Sequence, residues 1–203
     1  MKIAVIGASG SVGKAVVELL EIEHEVIKLG SNHGDIKLDI SNRKSIRTAF
    51  DKIGRVDAII NAAGTVAFKP FGEYTDEDWE VGLQSKLMGQ IRLAEEGSNY
   101  LNDGGSITLT SGITADYPIR FGISAAVVGG AIEYFAKSAA LEAPRGIRIN
   151  VVSPTVLDES LAAYGDFFPG FLSIPGKEVA KFYKRSILGI ENGHVFKCFA
   201  GNS

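Results

Sequence analysis

Near its start the sequence reads IAVIGASGSVG over residues 3–13, and this stretch gives the strongest indication of the fold. The apolar run Ile3–Ile6 predicts a buried strand, and the amphipathic run from about Ser11 to Leu20 predicts a helix directly after it. Glycines 7, 10 and 13 occupy the turn between the two elements. The first permits a tight turn, the second lets a ligand approach the backbone, and the third lets the helix pack close to the sheet.

A strand, a glycine-rich turn and a helix in this order form a cradle for a pyrophosphate, because free N–H groups at the helix N-terminus point at phosphate oxygens. Three glycines alone are weak evidence, but their position between a predicted strand and a predicted helix favours a dinucleotide site. A glycine-rich turn without a ligand is the alternative. We expect the following turn residues to contact the dinucleotide: Gly7, Ser9, Gly10, Ser11, Val12 and Gly13.

Along the rest of the chain, short apolar runs alternate with longer amphipathic runs. The predicted strands are Ile3–Ile6, Glu25–Leu29, Val56–Ile60, Ser106–Leu109, Ile147–Val152 and His194–Phe199. Further helices are predicted after the N-caps Ser41 and Thr75, over Ile123–Glu142 and over Lys177–Ile187, and Asp78 follows Thr75 at the spacing of a capping box. This alternation predicts a single α/β, Rossmann-like doubly wound domain over residues 1–203, with a mostly parallel sheet of about seven strands and helices on both faces.

The end of the second predicted strand bears on the choice of nucleotide. Proteins that bind NAD usually place an acid there to hold the ribose 2′-hydroxyl. Here the residues are Leu29-Gly30-Ser31-Asn32-His33, without an acid. Ser31 and Asn32 offer neutral donors that a 2′-phosphate would accept, so we predict NADP(H) in preference to NAD(H). His33 can add positive charge, or it can be an ordinary exposed loop histidine.

The bulk properties exclude several classes of protein. A net charge of −3 gives no reason to expect nucleic acid or an anionic membrane as a partner. The only cysteine, Cys198, has no second cysteine to pair with, and no cysteine–histidine cluster indicates a metal. The least polar run, Ile123 to Ile132, is well short of the roughly 20 residues of a membrane span. We therefore expect a cytoplasmic protein that binds neither metal, membrane nor nucleic acid.

The sequence resembles the short-chain dehydrogenase/reductase family over most of its length. The resemblance rests on the glycine turn Gly7–Gly13, on Asn61-Ala62-Ala63-Gly64, on Lys137-Ser-Ala-Ala-Leu141-Glu142, and on the run from Gly146 to Pro154. It implies a nicotinamide cofactor that also contacts Asp39 and Ile40, in the stretch that usually touches adenine. It further implies cofactor contacts at Asn61, Ala62, Ala63, Gly64, Pro154 and Val156.

The same resemblance implies four catalytic residues in most members of the family: an asparagine, a serine, a tyrosine and a lysine. Alignment without gaps places these positions on Lys86, Gly112, Ala125 and Gly129 respectively. All four residues differ from the family pattern. The resemblance therefore supports the fold and the cofactor, and it does not support the usual catalytic mechanism.

Three residues, one of them at an aligned position, are candidates for chemistry. Lys86 brings an ammonium group to the site, with Gly129 leaving space opposite, although it can be a surface lysine of its helix. Ser111 follows a strand at the edge where such sheets bind ligands, although it can serve only to bond backbone. Tyr117 offers a phenol from the next loop, although it can be a packed aromatic.

Several functions remain open at this point. The leading hypothesis is an NADP(H)-dependent oxidoreductase acting on a small carbonyl or alcohol substrate with a rearranged active site. The alternative is a non-catalytic NADP(H)-binding redox sensor or regulatory protein, and a lyase, isomerase or epimerase is a third. We expect an aromatic-rich substrate loop or lid at about residues 157–177, and a homodimer or homotetramer formed through the helix at 123–142.

Overall fold

The computed structural model describes residues 1–199, and its centre is a seven-stranded sheet. The strands are β1 (Lys2–Ile6), β2 (Glu25–Gly30), β3 (Ile36–Lys37), β4 (Val56–Asn61), β5 (Leu101–Thr110), β6 (Arg148–Pro154) and β7 (Val195–Cys198). Their order across the sheet is β3-β2-β1-β4-β5-β6-β7, and every neighbouring pair is parallel. The predicted doubly wound α/β fold is confirmed.

Seven α-helices connect the strands of the described chain. They are α1 (Ser11–Leu20), α2 (Arg43–Ile53), α3 (Asp76–Gly82), α4 (Met88–Gly97), α5 (Ile123–Glu142), α6 (Leu161–Tyr164) and α7 (Gly176–Leu188). A π-helix, Leu83–Leu87, joins α3 to α4. Short 3₁₀ turns cover Ser98–Tyr100, Ile113–Ala115, Pro144–Gly146, Asp158–Ser160 and Gly165–Phe167.

The two faces of the sheet carry separate apolar clusters. On one face, α2, α4 and α5 contribute buried side chains such as Phe50, Leu93 and Ile132. On the other face, α1 and α7 contribute buried side chains such as Val16 and Tyr183. Because the sheet is covered on both faces, central strands such as β1 and β4 carry short continuous apolar runs, which is why they could be recognised as buried strands.

Most predicted boundaries agree with the structure within a few residues, and those of α1 and α5 agree at both ends. The capping box at Thr75 is confirmed, since Asp78 N donates to the Thr75 hydroxyl and Thr75 N donates to the Asp78 carboxylate. The N-cap predicted at Ser41 is wrong. Asn42 caps α2 by accepting from two backbone N–H groups, whereas Ser41 donates to Asp39.

Strand β3 and the first half of β5 were not predicted from the sequence. Strand β3 is only two residues long, so it is too short to show any periodicity. Strand β5 starts at Leu101, and its first half gave no strand signal because residues 102–105 are polar or glycine. Within residues 1–199, no helix combines the length and apolar character needed to cross a bilayer.

Candidate functional site

The candidate site lies where the order of the strands reverses. Strand β1 pairs with β2 on one side and with β4 on the other, so the connections that leave β1 and β4 diverge. This leaves a crevice at the carboxyl ends of the strands, which is the usual ligand site of open α/β sheets.

The glycine turn has the geometry that its sequence predicts. Gly7 has a φ of +79°, and a Cβ atom there would lie 2.7 Å from Ala63 N. A Cβ atom on Gly13 would lie 2.1 Å from Gly7 O, so the start of α1 packs directly on the turn. At Gly10 the nearest atom to such a Cβ is Gly7 O at 3.5 Å, an ordinary contact. The protein itself therefore does not require glycine at position 10, and close approach by a ligand would.

A cleft of about 350 Å³ runs from this turn across the end of β2, and we call it the glycine-turn cleft. The predicted cofactor residues in its lining are Gly7, Ser9, Ser31, Asn32, Asp39, Ile40, Ala63 and Gly64. Thr65 and Ser85 also line it and were not predicted. No side chain in the described chain caps the N-terminus of α1, so its first N–H groups are open to phosphate oxygens.

The polar residues around the glycine-turn cleft are held by local hydrogen bonds. The Asp39 carboxylate accepts from Ser41 N at 2.9 Å and from Ser41 Oγ at 2.7 Å. Asn61 is buried beneath the cleft, where its Nδ2 donates to Ala63 O at 2.9 Å. Asp35, the next acid after β2, accepts from Lys28 N at 2.9 Å.

A second cavity of about 270 Å³ adjoins the first, and we call it the Lys86 cavity. Gly64 and Thr65 line both spaces. The predicted residues that line only this cavity are Val12, Ala62, Lys86, Ser111, Pro154 and Val156. Ala125 and Gly112, at the aligned tyrosine and serine positions, also line it. The remaining walls are largely apolar and include Val66, Phe68, Tyr164 and Phe168.

Lys86 lies in the π-helix, and its stem packs against the bend after β4. A Cβ atom on Gly64 would lie 2.9 Å from Lys86 Cα and 3.0 Å from its Cβ and Cγ atoms, so only glycine allows this contact. Gln90 Nε2 donates to Lys86 O at 3.0 Å and to Thr110 O at 2.9 Å, which ties the π-helix to the end of β5.

The amine of Lys86 loses its proton more readily than that of an ordinary lysine. Desolvation by burial lowers the pKa of Lys86 to about 8, since an apolar surrounding disfavours the charged form. Among the residues that the structure describes, no carboxylate forms an ion pair with it. A lysine of this kind can donate a proton or a strong hydrogen bond to a ligand oxygen near neutral pH.

Ser111 is buried at the end of β5, and its hydroxyl proton is engaged. Ser111 Oγ donates to Glu133 Oε1 at 2.8 Å, and Ser111 N donates to Val152 O at 3.1 Å. A hydroxyl has one proton, so Ser111 in this arrangement offers a ligand its lone pairs. Glu133 lies one and two turns beyond Gly129 and Ala125, on the same face of α5, and only 6% of it is exposed.

Glu133 was missed by the sequence analysis, which followed only the positions of the family pattern. The available signal was an acid in the middle of an otherwise apolar helix.

Tyr117 and Gly129 differ from expectation. Tyr117 does not line the Lys86 cavity; its ring meets that of Phe199 edge-on at 5.9 Å. The expected space opposite Lys86 at Gly129 is filled, because a Cβ atom there would lie 3.4 Å from Ala115 Cβ. Lys86 and Ser111 therefore share one cavity, and Tyr117 lies outside it.

The segment predicted as a lid forms one wall of the Lys86 cavity. Leu157 pairs with Ile174 in a parallel bridge at its base. Ser160 Oγ donates to Ser11 Oγ at 3.2 Å, which brings the segment against the glycine turn. Glu159 accepts from Gly176 N at the start of α7.

Comparison with known proteins agrees with this architecture. A family model described as enoyl-(acyl carrier protein) reductase matches residues 7–176. Hydroxynaphthalene reductase-like protein Arp2 of Metarhizium brunneum is 30% identical over 145 residues, covering 66% of this chain and 52% of that protein. The chain thus spans about half the length of the curated relatives that head the comparison.

Two solved structures are similar over nearly the whole chain. The protein lin1944 from Listeria innocua is 48% identical with a TM-score of 0.96, covering 98% of this chain and 100% of that chain. A small-chain dehydrogenase in complex with NADPH is 26% identical with a TM-score of 0.88, covering 98% of this chain and 96% of that one. The chain belongs to the short-chain dehydrogenase/reductase family of oxidoreductases.

Proposed function

We propose that the protein is an NADP(H)-dependent oxidoreductase that acts on a small carbonyl or alcohol substrate with a rearranged active site. The observation that carries the proposal is the shared wall of the two cavities at Gly64 and Thr65. A dinucleotide held along the glycine-turn cleft would end beside a ligand in the Lys86 cavity. The room at Gly10 and the uncapped N-terminus of α1 fit its pyrophosphate.

The preference for NADP(H) over NAD(H) is supported by the end of β2. At the end of β2 the lining residues of the glycine-turn cleft are Ser31, Asn32 and His33, without an acid among them, so a 2′-phosphate held there would meet donors. Asp39, an acid that also lines this cleft, accepts from Ser41 N and Ser41 Oγ. The similar small-chain dehydrogenase at 26% identity was solved with NADPH.

Lys86 and Ser111 take the chemical roles in this proposal. When bound, the cofactor supplies hydride transfer at its nicotinamide ring. For reduction, the Lys86 ammonium donates a hydrogen bond to the substrate carbonyl oxygen and then gives that oxygen its proton as the carbonyl carbon gains the hydride. The Ser111 hydroxyl donates its proton in a hydrogen bond to Glu133. Its oxygen therefore accepts a hydrogen bond from a substrate hydroxyl and orients that group. Tyr117 has no chemical step.

A non-catalytic NADP(H)-binding redox sensor is the second candidate. The observation that favours it is that the tyrosine, lysine and serine positions of the family pattern hold Ala125, Gly129 and Gly112. In that case the cofactor would bind, and a partner protein would respond to its redox state.

Turnover separates the two candidates. The purified protein is mixed with NADPH and a panel of aldehydes and ketones, and the loss of nicotinamide absorbance is followed. We expect turnover that Lys86→Met lowers by at least about 100-fold, the contribution of a general acid. Lys52→Met, at an exposed lysine in the last turn of α2, is the matched control and keeps full activity. Nucleotide binding without turnover on any carbonyl would favour the sensor.

The organisation of the whole protein is also proposed. We infer one NAD(P)-binding domain over residues 1–203 with a lid at 157–177, a cytoplasmic location, and association into a homodimer or homotetramer through α5. The outer side of α5 supports association, because Val127, Tyr134 and Leu141 are 49%, 73% and 88% exposed there.

A further inference from the structure

A third cavity, which the proposed chemistry does not use, adjoins the Lys86 cavity. It is a cleft of about 530 Å³ between the loop at 118–121 and the lid segment at 166–171, and we call it the outer cleft. Its apolar walls are formed by Pro118, Ile119, Phe121, Phe167, Pro169 and Phe171. Such a volume lies within the about 300–1,000 Å³ of typical small-molecule sites.

Two pairs of aromatic rings lie between the outer cleft and the Lys86 cavity. Phe68 packs on Phe167 with ring centres 5.0 Å apart, and Phe168 packs edge-on against Phe171 at 5.6 Å. In each pair the first ring lines the Lys86 cavity and the second lines the outer cleft. Aromatic side chains therefore connect the linings of the two spaces.

One wall of the outer cleft is held in a strained conformation. Phe121 has a φ of +63°, in the left-handed region that bulky residues rarely adopt. Its carbonyl oxygen accepts from Lys69 N at 3.0 Å and from Tyr74 Oη at 2.8 Å, and these bonds fix the loop against the segment after β4. Strained residues of this kind cluster at active sites, ligand clamps and switch regions.

The lining of the outer cleft carries one positive and one negative side chain. Arg120 and Asp166 are the charged residues in its lining, and the Arg120 guanidinium lies over the Phe121 ring at 5.0 Å. The cleft therefore suits an apolar group without charge. The Lys86 cavity, at about 270 Å³, holds little more than a reacting group and its neighbours.

We propose that the outer cleft binds an uncharged apolar tail of the substrate whose carbonyl or hydroxyl group reacts at Lys86. The preferred substrates are then elongated apolar ketones, aldehydes or alcohols. This inference rests on the proposed function for the reacting end, and the tail site itself can be tested separately.

The test uses the single tryptophan of the chain as a reporter. Trp79 packs on Tyr74 with ring centres 5.0 Å apart, and Tyr74 holds the Phe121 carbonyl, so a ligand in the outer cleft changes the fluorescence of Trp79. The protein is titrated with 2-butanone and with 2-nonanone, both with and without NADPH. We expect 2-nonanone to bind more tightly by at least about tenfold, because its longer chain buries more apolar surface.

Three variants distinguish the outer cleft from general hydrophobic binding. Phe121→Gly removes one ring while keeping a residue that accepts the positive φ, and Phe171→Ala removes a second ring. Each is expected to weaken 2-nonanone binding by at least about tenfold, without changing the affinity for 2-butanone or NADPH. Phe71→Ala is the control, because Phe71 is 90% exposed and lines neither cavity.

Equal affinities for the two ketones would overturn the inference, as would a loss in Phe121→Gly and Phe171→Ala no larger than in Phe71→Ala. A failure of NADPH to bind would refute the proposed function instead. The titrations without nucleotide would still test whether the outer cleft binds the apolar chain of 2-nonanone.

Discussion

Lys86 is the residue on which the proposed chemistry depends most. Its backbone is fixed by Gln90, its stem packs on Gly64, and its amine ends in a cavity with largely apolar walls. The packing holds the amine in place, and the desolvation lowers its pKa to about 8. A lysine on a solvated helix face would have neither property, so the alternative of a simple surface lysine does not fit its surroundings.

The pKa of Lys86 predicts how the reduction rate varies with pH. Since the pKa is lowered to about 8, the amine is charged below that pH and neutral above it. If the ammonium is the proton donor, kcat/KM for reduction is level below pH 8 and falls about tenfold per pH unit above it. The measurement is a rate profile from pH 6 to 10 with a carbonyl substrate. A level profile throughout this range would show that Lys86 does not act as the acid.

Ser111 and Glu133 are predicted to be energetically coupled. Ser111→Ala removes a hydrogen bond from the buried Glu133 carboxylate, which we expect to cost about 2 kcal/mol of unfolding free energy. In a Glu133→Leu background the same change should cost much less, because no carboxylate is left unpaired. Urea unfolding of the wild type, both single variants and the double variant gives the coupling. Additive losses would mean that the hydrogen bond does not contribute to stability.

At the scale of elements, the turn between β1 and α1 contains glycines that the fold requires and a glycine that only a ligand would require. Gly7 and Gly13 are required by contacts inside the protein, whereas Gly10 has room for a methyl group. We therefore predict that Gly10→Ala leaves the melting temperature unchanged and weakens NADPH binding by at least about tenfold. Gly130→Ala is the matched control, since nothing lies within 4 Å of a Cβ atom there. Unchanged affinity in Gly10→Ala would exclude close approach of the pyrophosphate to this turn.

The contact between α2 and α4 predicts a dependence of stability on pH. Arg47 and Arg43 hold the Glu96 carboxylate by hydrogen bonds and lower its pKa to about 2. This pKa is below the usual 4.5 of a glutamate side chain, so the stabilisation is complete above about pH 4.5 and is lost as the pH falls toward 2. At pH 7, Glu96→Gln should cost about 2 kcal/mol, or roughly 6 °C in melting temperature.

Glu95→Gln is the matched control for this pair of helices. The side chain of Glu95 is 50% exposed, against 9% for Glu96, and within residues 1–199 its one ion pair is with Arg43. Its loss should change the melting temperature far less. Equal effects of the two variants at pH 7 would contradict the argument.

The sequence predicted those elements that carry their own local signal. Helix α1 was bounded by the glycine turn, and α5 was long enough to be recognised from its apolar content. The π-helix was hidden, because Leu83 and Leu87 continue the spacing of an ordinary helix. The N-cap of α2 was placed one residue early, since Ser41 and Asn42 both suit the position.

At the scale of the whole molecule, the alternation of elements was enough to predict the sheet, but not the cavities. The walls of the Lys86 cavity and of the outer cleft bring together residues from distant parts of the chain, such as Phe68 and Phe167. Such contacts leave no pattern in a single sequence. The glycine-turn cleft is the exception, because most of its lining residues that were predicted came from the glycine turn and from the family resemblance.

The central claim is that the glycine-turn cleft binds NADP(H). The measurement that tests it most directly is a titration of the purified protein with NADPH and with NADH, followed by nicotinamide fluorescence. We predict that both nucleotides bind and that NADPH binds more tightly, by at least about fivefold, through its 2′-phosphate at Ser31 and Asn32. Equal affinities would contradict the prediction that Ser31 and Asn32, after β2, favour NADP(H). Binding of neither nucleotide would contradict the claim itself.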